Sequence, residues 1–68
     1  MNETKKTFLY RLIDTFVYQY PGSPVSAEWR DLENPTAIEI AKPIMEFEIR
    51  LGDQEQQGLA VIKLLLGL

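Results

Sequence analysis

The chain contains no cysteine and no histidine. The first absence excludes a disulfide framework, a thiolate zinc site and a cysteine nucleophile. The second removes the commonest general base, the commonest metal ligand and the side chain that titrates near neutrality. Long apolar runs are missing as well. The longest, 59–68, is about half of the ~20 residues a membrane span needs, and it carries Lys63. Glycine is scarce and scattered, at Gly22, Gly52, Gly58 and Gly67, which fits turns and caps and not a phosphate-cradling loop. Positive charge is in deficit, with seven Lys and Arg against ten Asp and Glu, a formal net charge of -3. A free acidic domain of this kind is not a typical binder of the phosphate backbone.

The opening Met-Asn-Glu-Thr-Lys-Lys is basic enough to begin an export leader. The stretch that follows is interrupted by Arg11 and Asp14 and has no small-residue cleavage site. The expectation is a cytoplasmic chain without a membrane association.

What is present is an ordinary globular balance, with 46% hydrophobic and 25% charged residues in 68. That length corresponds to one small domain over 1–68. A chain of this size buries only about 60% of the surface it exposes when unfolded. Its stability alone is therefore marginal, and a partner subunit adds what the monomer lacks.

The apolar pattern divides the chain into four segments. Phe8, Leu9, Leu12, Ile13, Phe16, Val17 and Tyr20 recur at helical spacing and predict a helix over about 5–20, capped by Thr4 and ended by Pro21-Gly22. Ser23-Pro24 reads as a cap followed by the first helical residue of a second helix, to about 33, with Val25, Trp29 and Leu32 on one face. Asn34-Pro35 starts the third segment by the same logic. There Ala37, Ile40, Ala41, Ile44, Phe47 and Leu51 form one helical face, while Glu39, Lys42, Glu46 and Arg50 lie mostly opposite. Pro43 interrupts it, which predicts a kinked helix or two short ones meeting at Pro43, with Gly52 as the terminal cap. Residues 46–51 also alternate as a strand would. In the last segment Asp53 and Gln56 have capping-box spacing ahead of the apolar run 59–66. The expected fold is all-α, three or four short helices in a small bundle. The alternative is α+β, a helix packed on a C-terminal hairpin of 44–51 with 58–66.

Little in the sequence carries reaction chemistry. Ser23 and Ser26 lack a plausible base and read as cap and turn residues. Glu46 with Glu48 and Asp53 with Glu55 match no calcium loop. No catalytic residues, metal site or cofactor are expected, and the chain reads as a non-enzyme. Tyr10 and Tyr18 lie off the main stripe of the first helix, with Asp14 between them on the same side and Arg11 adjacent. These four are the candidate partner-binding residues, since tyrosine joins an apolar body to a polar tip. The charge is uneven: 28–55 hold eight acids against Arg30, Lys42 and Arg50, while the first 27 residues are slightly basic. An acidic face of that kind suits solubility or a basic protein surface.

The last segment is apolar nearly all round. Leu59, Ile62 and Leu66 can face the core, which leaves Val61, Leu65 and Leu68 as candidate self-association residues. The expected function is a small protein–protein interaction module, homodimeric, that binds or inhibits a larger protein. The alternative is single-stranded nucleic-acid binding through Lys5, Lys6 and Arg11, with bases stacked on Tyr10 and Tyr18.

Overall fold

The computed structural model describes residues 2–46 and 51–67. Among them are five helices and no strand: α1 (Glu3–Gln19), α2 (Pro24–Trp29), α3 (Asn34–Glu39), α4 (Ala41–Met45) and α5 (Asp53–Leu66). The fold is all-α, a small bundle.

α1 follows the apolar repeat, but its start is set by Asn2 and not by Thr4. The Asn2 side chain accepts a hydrogen bond from the Lys5 amide at 2.8 Å, which satisfies one of the donors a helix start leaves unpaired. Thr4 lies inside the first turn. The Tyr20 amide closes the other end on the Phe16 carbonyl at 2.9 Å.

α2 begins as expected, with Ser23 accepting from the Val25 amide at 3.2 Å and Pro24 at the first helical position. It stops at Trp29, short of 33. The next helix starts at Asn34 and needs an extended residue before it, which Glu33 supplies at φ -69° and ψ 149°. Residues 30–33 must turn to make that entry, and the Leu32 amide bonds the Trp29 carbonyl at 3.1 Å. Glu33, and not Asn34, is consequently the cap residue of α3.

The third segment is two helices, and they meet at Ile40 (φ -99°, ψ 9°) instead of at Pro43. The reason lies in proline's missing donor. Inside a continuous helix Pro43 would cost about 3 kcal/mol through a lost hydrogen bond and a clash one turn back. With the break at Ile40, Pro43 occupies the first turn of α4, where the amides have no intrahelical acceptor anyway. The defect moves three residues upstream of the residue that causes it. Ala37, Ala41, Ile44 and Leu51 of the expected face are buried and Ile40 is half-buried. Phe47 lies outside the described residues.

α5 overturns the hairpin alternative, because 58–66 is helical. Gly52 is its N-cap residue and not the end of the preceding segment, so Asp53 occupies the first helical position. The expected capping box does not form; the Gln56 side-chain amide donates instead to the Leu51 carbonyl at 3.1 Å. Gly67 ends the helix at φ 78°, a left-handed conformation that glycine adopts without strain.

α2 and α5 both pack on α1. α5 runs antiparallel to α1: the Tyr20 hydroxyl donates to the Gln54 carbonyl at 3.2 Å at one end, and Leu65 lies beside Phe8 at the other. Gly58 marks a close approach of the two. A Cβ added there would stand 3.1 Å from a ring carbon of Phe16 and 3.3 Å from one of Tyr20. Phe16 is the hub of the aromatic core, with its ring centroid 4.9 Å from that of Tyr20 and 6.0 Å, edge-on, from that of Trp29. The Trp29 indole N–H donates to the Ala37 carbonyl at 3.3 Å and so ties α2 to α3. Leu9, Ile13, Val25, Leu59 and Ile62 complete the centre. The radius of gyration is 10.8 Å, close to the ~11 Å expected of a compact chain this long.

Candidate functional site

The apolar stripe of α1 divides. Leu9, Ile13 and Phe16 are buried, Leu12, Val17 and Tyr20 are packed against the core, and Phe8 is 51% exposed. α5 behaves similarly. Leu59 and Ile62 are fully buried and Leu66 packs at the core's edge, while Val61 is 46% and Leu64 76% exposed. Core and solvent positions recur along this helix with its period, and because 59–66 is apolar nearly all round, some of the solvent positions are apolar. A 68-residue bundle has cover for only one side of such a helix.

An open groove of about 570 Å³ lies where the start of α1 meets the end of α5. Thr4, Lys5, Thr7, Phe8 and Arg11 line it from α1, and Leu65 from α5, with Asn2 at the end. Lys5, Phe8 and Arg11 follow one another at three-residue steps, so a cation stands one turn before the phenyl ring and another one turn after it. Among the described residues no acidic side chain lines the groove.

The candidate residues fall into this geometry unevenly. Arg11, Asp14 and Tyr18 are exposed on the outer side of α1, Tyr18 at 87%. Tyr10 is half-buried on the flank. The four do not converge: Tyr18 lies about 10 Å along the helix axis from Arg11, and no ion pair joins Arg11 to Asp14 among the described residues. Val61 is on the outer side of α5, Leu65 is half-buried in the groove wall, and Leu68 lies outside the described residues. The fold thus brings Arg11 and Leu65, drawn from two separate sets, to one place. Of the three N-terminal cations, Lys5 and Arg11 share the groove. Lys6 points away from it and pairs with Glu3 at 3.7 Å.

Sequence reasoning missed Phe8 and Leu64 as surface residues. The signal for Phe8 was weak: it precedes Leu9 at the margin of the stripe, where a helical wheel does not say whether a neighbour covers it. Leu64 was hidden by Leu65 and Leu66, which share its run. Among the described residues no group of three carboxylates is placed to hold a metal, and no helix is long and apolar enough to cross a membrane. Comparison with protein-family models, with curated proteins and with solved structures finds no significant match.

Proposed function

We propose that the chain is a small cytoplasmic interaction module, not an enzyme, that self-associates and binds or inhibits a larger protein. The observation that carries this reading is the exposed apolar surface on α5, Val61 and Leu64, continued by half-buried Leu65. Contiguous apolar surface of this kind marks an interaction site. A two-fold contact, α5 against α5 of a second copy, covers the same residues on both subunits with one interface. It also adds buried area to a monomer whose own burial is limited by its short length.

Sedimentation velocity at micromolar concentrations tests the reading. The expected mass rises with concentration above the 7.8 kDa of one chain, and Leu64→Glu returns it to the monomer with the helix content unchanged. A single 7.8 kDa species at every concentration would overturn self-association.

A further inference from the structure

We infer that the groove between α1 and α5 is a docking site for an acidic amphipathic helix of a partner protein. The inference rests on the interaction-module reading and deepens it by giving the partner's chemistry. Phe8 and Leu65 offer an apolar floor, and Lys5 and Arg11 stand at either end of the phenyl ring. Both cations lack an ion-pair partner among the described residues. A chain of net charge -3 thus carries a groove whose charged side chains, among the described residues, are both positive.

Complementarity then fixes the occupant. Apolar anchors must sit on Phe8 and Leu65, with carboxylates reaching Lys5 and Arg11. Those two cations are six residues apart, about 9 Å along the axis of α1. A helix laid alongside meets both with acids six or seven residues apart and an apolar residue midway, the usual pattern of helix-in-groove recognition. A second copy of this chain does not supply such a helix. Among its described residues, the acids of α1, Glu3 and Asp14, are eleven residues apart, those from Glu28 to Glu39 lie on the six-residue helices α2 and α3 and the turn between them, Glu46 follows the five-residue α4, and those of α5 lie only in its first turn. The occupant is consequently another protein.

The test uses the full chain, isotopically labelled, and three synthetic peptides of about sixteen residues, long enough to form a helix. All three share one leucine stripe at helical spacing; their remaining positions are glutamate, glutamine or lysine. The glutamate peptide is expected to bind at least about tenfold more tightly than the lysine peptide, since like charges across an interface are strongly disfavoured. Its binding should shift the amide signals around Phe8, Arg11 and Leu65 and weaken at high salt. Arg11→Glu should abolish that binding while leaving helix content and sedimenting mass unchanged. Leu64→Glu should do the reverse, breaking self-association and keeping the peptide. Equal binding of the three peptides, no binding of any, or shifts centred elsewhere would overturn the inference. So would an oligothymidylate that shifts the same signals when the glutamate peptide does not. Loss of self-association in the wild-type chain, with peptide binding intact, would count against the dimer alone.

Discussion

Phe8 and Phe16 stand eight residues apart on one helix and belong to one apolar repeat, yet Phe16 is 2% exposed and Phe8 is 51% exposed. Eight residues of a 3.6-residue period carry a side chain about 80° around the helix. Phe16 therefore points into the bundle and Phe8 comes to the edge of the stripe. What lies beside each ring decides the rest. Around Phe16 are Tyr20, Trp29 and the bare backbone of Gly58, which lets α5 approach within contact distance. Beside Phe8 are Leu65, two cations and an open groove. The half of α1 around Phe16 is enclosed by its neighbours; in the half that begins the helix Leu9 is buried as well, but Phe8 stays largely exposed.

The sharpest break between the halves comes from truncating the two rings. Phe16→Ala is expected to cost about 3–5 kcal/mol, as for other buried phenylalanines, enough to unfold a domain of this size. Phe8→Ala should change stability by no more than about 0.5 kcal/mol, the range for surface substitutions. Urea denaturation followed by circular dichroism measures both, and comparable losses would remove the distinction.

Trp29→Phe sharpens the same contrast. Phenylalanine leaves the Ala37 carbonyl without its indole donor, and a buried acceptor stripped of its partner costs about 1–3 kcal/mol. A wild-type denaturation midpoint would show that the Trp29–Ala37 bond adds nothing.

Gly58→Ala follows, with a smaller expected loss of about 1 kcal/mol. Alanine gains about 1 kcal/mol of helix propensity over glycine. The new methyl, however, meets the Phe16 ring at 3.1 Å and the Tyr20 ring at 3.3 Å, and overpacking costs about 1–3 kcal/mol. Stabilisation, read from the thermal midpoint, would mean that the α1–α5 approach has slack.

Ser26→Ala has the smallest effect and the opposite sign. Ser26 is fully buried and its hydroxyl has no hydrogen-bond partner among the described residues. Removing it should raise stability by up to about 1 kcal/mol, because an unpaired buried hydroxyl is costly and alanine is the better helix former. A fall in the urea midpoint would show that the hydroxyl has a partner in solution.

How much of this was legible depended on whether the deciding cause lay inside the segment being read. α1 and the Ser23-Pro24 start of α2 were legible because periodicity and capping are local. The break at Ile40 was not, because proline acts on the turn before it and the chain can resolve the conflict at either place. The capping of α5 was missed because Gly52 has no side chain to signal a cap and the Gln56 side chain bonds the Leu51 carbonyl, outside the helix. Gly58 read as a turn or cap residue; the close approach it allows is visible only when the rings of another helix are placed beside it. The surface was harder still. The all-round apolarity of 59–66 implied an uncovered side, but which residues formed it depended on where α1 lay. Phe8 was assigned to the covered stripe for the same reason: a period gives direction and not the extent of a neighbour.

The most direct test of the account is a concentration series of amide and side-chain NMR spectra on the unmodified chain. Concentration-dependent shifts are expected at Val61 and Leu64 and none at Phe16, Trp29 or Leu59. Spectra that do not change with concentration, or changes centred on the aromatic core, would contradict it.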